Sequence, residues 1–223
     1  RPRVYKKLGE TLEEAYVREA RAVRNSIGIV DVTSLGKIDV QGPDAAEFLN
    51  RVYANAFLKV PIGKARYGVM LREDGYIFDD GTSWRLSETQ FLMTTTTVNA
   101  ASVLSELERL LTLVWSDLKV QVSSVTDQWA GMAVAGPKSR DVLTKIIDDI
   151  DFSEEGLPHM GIADGQIGEI PVKVARLSFS GERAYEVYTG TSYGTAVWEA
   201  IIEAGLPHNI EPYGTEALGT LRI

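Results

Sequence analysis

Two short stretches carry side chains with chemical potential. The first is Asp74-Gly75-Tyr76-Ile77-Phe78-Asp79-Asp80-Gly81. Asp-Gly is a hairpin-turn signal, and the residues after it read as a strand whose side chains alternate between faces. Asp79 and Asp80 therefore point opposite ways, and at most one of them lines any given pocket. That spacing does not offer the two-carboxylate acid/base pair of a glycosidase. By pattern alone both are solvated acids near a strand end, and alternation does not say which of them faces inward.

The second stretch is Arg176-Leu177-Ser178-Phe179-Ser180-Gly181-Glu182-Arg183-Ala184-Tyr185-Glu186-Val187-Tyr188. It reads as strand, turn and strand, bringing two carboxylates and several aromatics close together. A flat heteroaromatic ligand suits such a place. Aromatics supply stacking area, and a buried Glu accepts a pair of hydrogen bonds from an aminopyrimidine-type edge. The plainer alternative is a hairpin with Glu182 and Glu186 in water.

Other chemistries find little support. No Gly-x-Gly-x-x-Gly lies between a strand and a helix, so no flavin or nicotinamide site is expected. Gly131-Met132-Ala133-Val134-Ala135-Gly136-Pro137-Lys138-Ser139 has the flavour of a phosphate loop, but Pro137 stands where the Lys is required and removes an amide donor. Ser178-Phe179-Ser180-Gly181 lacks the first glycine of a nucleophile elbow. The chain has no cysteine and only two histidines, His159 and His208, both beside prolines in apparent loops, so no metal site is expected. A formal charge of -8 with no basic face argues against nucleic acid. With 24% charged residues and no long apolar run, a soluble protein without a membrane span is expected, and the cytoplasm is the default location.

The elements that must position these residues follow from periodicity and punctuation. Thr11-Leu12-Glu13-Glu14 is a capping box opening a helix to about Ser26, which Gly28 ends. Ile29 to Val32 and Gly36 to Val40 read as strands. An internal repeat then organises the chain. Val40-Gln41-Gly42-Pro43 leading to Leu49-Asn50-Arg51-Val52 is echoed, 94 residues later, by Val134-Ala135-Gly136-Pro137 leading to Leu143-Thr144-Lys145-Ile146. In each copy a strand stops at Gly and Pro is expected to open the helix. β-rich stretches follow at Tyr67 to Thr97 and Gly168 to Thr189, then helices at about Asn99 to Leu111 and Tyr193 to Ala204. The expected fold class is α+β, with two related strand-helix-strand units and mainly antiparallel sheets. The units are placed at residues 1–127, including the N-terminal helix, and 128–223. Glu211-Pro212-Tyr213-Gly214 reads as a turn into a further helix, and the abrupt stop at Leu221-Arg222-Ile223 is read as a loss of C-terminal sequence.

Together with Ala22-Val23-Arg24, Gly28-Ile29-Val30-Asp31-Val32, Leu35-Gly36-Lys37-Ile38 and Gly42-Pro43-Asp44-Ala45, these motifs resemble the glycine-cleavage T-protein (aminomethyltransferase) family. The resemblance continues through Tyr67, Met70-Leu71, Gly75 to Asp80, Gly181-Glu182 and Tyr185-Glu186, so it covers nearly all of the chain after residue 20. Within the family, residues 24–32 and 65–75 look most like the folate domain of heterotetrameric sarcosine oxidases, whose place is the C-terminal part of the alpha subunit.

The resemblance implies a T-protein fold lacking its final domain, with tetrahydrofolate as the bound species and no flavin or NAD site in this chain. It places the family's key carboxylate on Asp80, its pterin-binding glutamate on Glu186, its channel tyrosine on Tyr67, and ligand-contacting positions on Thr96 and Phe179. Three positions depart from T-proteins: Thr96 where Asn is usual, Phe179 where Tyr is usual, and Leu218 where many carry an arginine. The implied activity is folate-dependent one-carbon transfer within a sarcosine oxidase complex. There the imine from oxidised sarcosine meets folate to give 5,10-methylenetetrahydrofolate and glycine, with other subunits as partners. The alternatives are a free-standing aminomethyltransferase or demethylase, and a folate-binding module without chemistry.

Overall fold

The computed structural model describes residues 2–223. In chain order its elements are α1 (Leu12–Asn25), β1 (Gly28–Asp31), β2 (Gly36–Gln41), α2 (Ala45–Val52), β3 (Lys64–Leu71), β4 (Ile77–Arg85), β5 (Gln90–Thr95), α3 (Ala100–Arg109), β6 (Gln121–Ser124), β7 (Trp129–Ala135), α4 (Ser139–Thr144), β8 (Ile162–Ile167), β9 (Ile170–Ala175), β10 (Ala184–Gly190), α5 (Gly194–Gly205), β11 (Glu211–Pro212) and α6 (Thr215–Leu221). They form two compact units, one of Ser34–Gln128 and the other of the residues up to Thr33 together with Trp129–Ile223.

The repeat read from the sequence is a repeat of topology. In the Ser34–Gln128 unit the strand order is β3-β4-β5-β2-β6, and in the other it is β11-β1-β7-β10-β9-β8. Each copy runs strand, helix, three-strand meander and helix, and the last meander strand returns to pair antiparallel with the first strand. Gly42 and Gly136 have φ of 143° and 127° at the end of that first strand. A Cβ there would lie 2.0 Å from the Lys119 carbonyl oxygen in one copy and 2.4 Å from that of Ser26 in the other. Only glycine meets both demands, so the same residue punctuates both copies.

In the Ser34–Gln128 unit one sheet face is apolar. Ile38, Val40, Phe91 and Met93 meet Phe48 and Leu49 of α2 and Val103 and Leu107 of α3. In the other unit Ile29, Met132, Val134, Tyr185 and Val187 meet Val142 and Leu143 of α4 and Val197 and Ile201 of α5. Period-2 burial in strands against period-3.6 burial in helices is what makes each element a half-buried layer.

Four local expectations are corrected. The N-terminal helix and β1 belong with the second copy and not the first. β1 pairs antiparallel with β7 from Gly28↔Ala135 to Asp31↔Met132, and parallel with β11. Backbone pairing and burial of Ile29 decide this, and neither has a local signature. The repeat prolines do not open their helices, since α2 and α4 begin after Asp44 and Lys138. A strand precedes Gly168: β8 holds Asp164 and Gly165 and pairs along its length with β9. Residues 177–183 form an irregular loop and not a tight turn. The capping box is present, with Glu14 N donating to Thr11 Oγ1 at 3.2 Å and Thr11 N to Glu14 Oε2 at 2.8 Å. Buried Glu19 accepts from Gly214 N at 2.8 Å and from Tyr5 N, tying the N-terminal segment to the start of α6. Among the described residues no helix is long and apolar enough to cross a membrane.

Candidate functional site

In the Ser34–Gln128 unit the β3–β4 hairpin turns through Arg72–Tyr76, with Gly75 N donating to Arg72 O at 3.0 Å. A register shift at Met70/Leu71 leaves Phe78 unpaired, because Leu71 faces Ile77 while Met70 faces Asp79. From there the strand alternates as expected. Asp79 is buried, only 4% exposed, and it is not a solvated acid. Its Oδ1 accepts from Thr96 Oγ1 at 2.6 Å and Asn99 Nδ2 at 3.1 Å, and its Oδ2 accepts from Thr96 N at 3.2 Å. Three donors at the end of β5 converge on one carboxylate, which anchors the turn into α3.

Asp80 points to the other face and is half-buried. Tyr67, diagonal to it on β3, donates its hydroxyl to Asp80 Oδ2 at 2.8 Å. The pair is placed by register: Val69 lies opposite Asp80 and Tyr67 opposite Thr82, so both side chains rise on one sheet face. A phenol that orients a carboxylate on a partly open face leaves that group able to hold a proton or to stabilise an adjacent cation. Thr96 is joined to Asp79 and not to Asp80.

In the second unit β10 presents Glu186 and Tyr188 on one face, while Tyr185 and Val187 enter the core beneath the other. Tyr188 donates its hydroxyl to Glu186 Oε2 at 3.1 Å. The Tyr188 ring is fully buried and lies directly across Gly131 of β7, its cross-strand partner. Buried Tyr213 is pushed above the ordinary phenol range, first by burial and then by the charge of Glu186. Glu186 itself is half-buried. Glu182 does not join it: Arg24 Nη1 donates to Glu182 Oε1 at 3.0 Å and to Ser180 O at 2.6 Å, clipping the 177–183 loop to α1. Phe179 stands at the tip of that loop, 54% exposed, with the Arg222 guanidinium 5.0 Å from its ring centre.

The residues singled out in the sequence thus fall into two groups. Tyr67, Asp80 and Thr96 belong to the Ser34–Gln128 unit, Phe179 and Glu186 to the other. Sequence reading missed Asp79 as an anchor, Asn99 as its partner, and Tyr188 as the group that holds Glu186. For Tyr188 a signal existed, because two residues along a strand is the same-face spacing. For Asp79 none did, since its donors come from 17 and 20 residues away.

A duplicated strand-helix-meander fold carrying Asp80 with its tyrosine and Glu186 with its own defines the class: the chain belongs to the GCVT N-terminal domain family, which it matches over residues 1–223. Sarcosine oxidase subunit alpha of Rhizobium meliloti (strain 1021) is 51% identical over 215 residues, which is 96% of this chain and 22% of that protein. The same subunit of Corynebacterium sp. (strain U-96) is 47% identical over 223 residues, 100% of this chain and 23% of that one. An aminomethyltransferase of Corynebacterium aurimucosum is 33% identical over 208 residues, covering 93% of this chain and 55% of its own length. The chain therefore spans less than a quarter of the sarcosine oxidase subunits and about half of that aminomethyltransferase.

Solved structures share the fold. The glycine cleavage system aminomethyltransferase T from Bartonella henselae superposes with a TM-score of 0.79 at 24% identity, over 93% of this chain and 53% of that one. A chain of the heterotetrameric sarcosine oxidase from Corynebacterium sp. U-96 gives 0.62 at 14% identity, over 86% and 92%.

Proposed function

We propose that this chain is the tetrahydrofolate-binding domain of a sarcosine oxidase alpha subunit and that it serves folate-dependent one-carbon transfer. The observation that carries the reading is the 47–51% identity to sarcosine oxidase alpha subunits over 96–100% of this chain. As a substrate, tetrahydrofolate brings two amines, one in the reduced pterin ring and one arylamine outside it, that together take up one carbon. The carbon of the imine made by oxidising sarcosine loses its bond to nitrogen and gains bonds to both amines. The two amine protons pass to the departing nitrogen, which leaves as glycine, and the product is 5,10-methylenetetrahydrofolate.

In this reading Glu186, oriented by Tyr188, accepts hydrogen bonds from the aminopyrimidine edge of the pterin. Phe179 supplies a ring face on an accessible loop. Asp80, oriented by Tyr67, stabilises positive charge at the reacting amine and relays a proton, a role in which position and field matter more than nucleophilicity. Thr96 lines the site as a polar contact, and its hydroxyl bond to Asp79 fixes its rotamer. The chemistry of a half-buried carboxylate beside aromatic groups fits a reduced pterin. The flavin step and the other subunits belong to the rest of the complex.

The test is anaerobic calorimetric titration of tetrahydrofolate into the chain and into Glu186→Gln, with transfer rates measured for Asp80→Asn in the assembled oxidase. Saturable binding lost in Glu186→Gln, with binding kept but rate lost in Asp80→Asn, is the expected result. Equal binding by the wild type and Glu186→Gln would remove the pocket assignment, and full activity in Asp80→Asn would leave a folate-binding module without chemistry.

A further inference from the structure

The Ser34–Gln128 unit holds a cavity of about 520 Å³ on the helix-covered side of its sheet, between the end of α2, the end of α3 and the β3–β4 hairpin. Asp80 rises on the opposite sheet face, so this cavity is separate from the Tyr67–Asp80 pair. Its volume lies within the range of sites for small organic molecules, roughly 300–1,000 Å³. Its walls combine apolar groups, including Met70 and Leu110, with the aromatic rings of Phe78 and Trp115. Just past α3 the backbone widens into a π-helical turn at Leu110–Val114, an irregularity that recurs where helices shape binding sites.

Charge decides what fits. Arg51, Arg72 and Arg109 line the cavity together with Glu73 and Glu106. Arg109 is held in a two-pronged pair by Glu106, at 2.8 and 2.7 Å. Arg51 bonds Glu47 at 2.8 Å and lies over the Trp115 ring, 5.6 Å from its centre. Arg72 has no carboxylate partner among the described residues, and its guanidinium lies 6.0 Å from the centre of the Phe78 ring. Glu47 and Glu106 occupy Arg51 and Arg109, so the cation left to receive an anion is Arg72, next to Glu73 in the chain and at the edge of an apolar chamber. A polyanion would meet Glu73 and Glu106, a cation would meet the arginines, and a bare inorganic anion would leave the apolar walls wet.

We propose that this cavity binds a monoanionic ligand with a flat apolar body, an aromatic carboxylate, whose carboxylate pairs with Arg72 while its ring packs against the Phe78 and Trp115 side. The guanidinium fork suits a carboxylate, and its stacking on Phe78 keeps it pre-oriented.

The probes are 2-naphthoate and its neutral isostere 2-naphthamide, titrated by calorimetry into the wild-type chain, Arg72→Gln and Glu186→Gln. Arg72 is exposed and makes no side-chain hydrogen bond among the described residues, so its replacement leaves the fold intact. The expected result is one saturable naphthoate site, with naphthamide about tenfold weaker, as for a charge-assisted bond lost. That difference vanishes in Arg72→Gln and persists in Glu186→Gln. No saturable binding up to about 10 mM, equal affinity for acid and amide, or unchanged discrimination in Arg72→Gln overturns the proposal. Loss of naphthoate binding in Glu186→Gln also overturns it, by placing the probe on the other carboxylate site.

Discussion

Replacing Gly131 by Ala tests whether the seat of the Glu186–Tyr188 pair is built by close packing. A Cβ at position 131 would stand 2.1 Å from Tyr188 Cε1, 2.6 Å from Cδ1 and 3.2 Å from Cζ. Carbon atoms pack at about 3.5–4 Å, so the ring must retreat by roughly 1.5 Å. Tyr188 is fully buried, so the ring can retreat only by displacing its neighbours. Overpacking of this kind costs about 1–3 kcal/mol, and the shortness of the contact argues for the upper end. The same retreat moves the hydroxyl that bonds Glu186 at 3.1 Å.

Urea unfolding of the wild type, Gly131→Ala, Tyr188→Val and the double variant forms a thermodynamic cycle. Tyr188→Val alone removes a buried ring at a cost of about 3 kcal/mol. In that background the methyl at 131 has room, and Gly→Ala becomes neutral or stabilising by about 0.4–1 kcal/mol through the unfolded chain. The coupling is therefore about 2–4 kcal/mol, well beyond the roughly 0.5 kcal/mol that separates additive from coupled sites. Additive effects would refute the reasoning, because they would mean that the ring does not occupy the space over Gly131.

The two adjacent acids should separate cleanly. Asp79→Asn weakens a buried acceptor of three hydrogen bonds and should cost about 1–3 kcal/mol in chemical denaturation. Asp80→Asn, which weakens one bond to an exposed tyrosine, should lie within about 0.5 kcal/mol of wild type. Comparable losses would contradict the assignment of anchor and site. Glu154 offers a pH test: Arg176 and Arg140 hold its carboxyl down to about 2 from an ordinary 4.5. A group depressed in the folded state stabilises above its unfolded value and loses that contribution as pH falls through the folded one. The stability difference between wild type and Glu154→Gln should therefore be constant above about pH 4.5 and shrink toward pH 2. Thermal melts across that range check it, and a difference that grows with acid would sink the pairing.

What was legible in the sequence was what depends on near neighbours along the chain. Thr11 and Glu14 are three residues apart and cap α1 on their own, so that helix start was readable. The opposite facing of Asp79 and Asp80 follows from the pleat, and the Gly42/Gly136 repeat follows from a backbone conformation that only glycine tolerates. The family resemblance was equally a matter of ordered motifs. Tertiary structure decided what depends on partners far along the chain. Which acid is anchored was set by Thr96 and Asn99, and which group holds Glu186 was set by a ring that needs an empty place on β7. The assignment of α1 and β1 to the second unit was settled by pairing across about 100 residues, between Gly28 and Ala135. Local pattern states which face of an element is apolar, but many partners satisfy an apolar face, and only the assembled sheets choose among them.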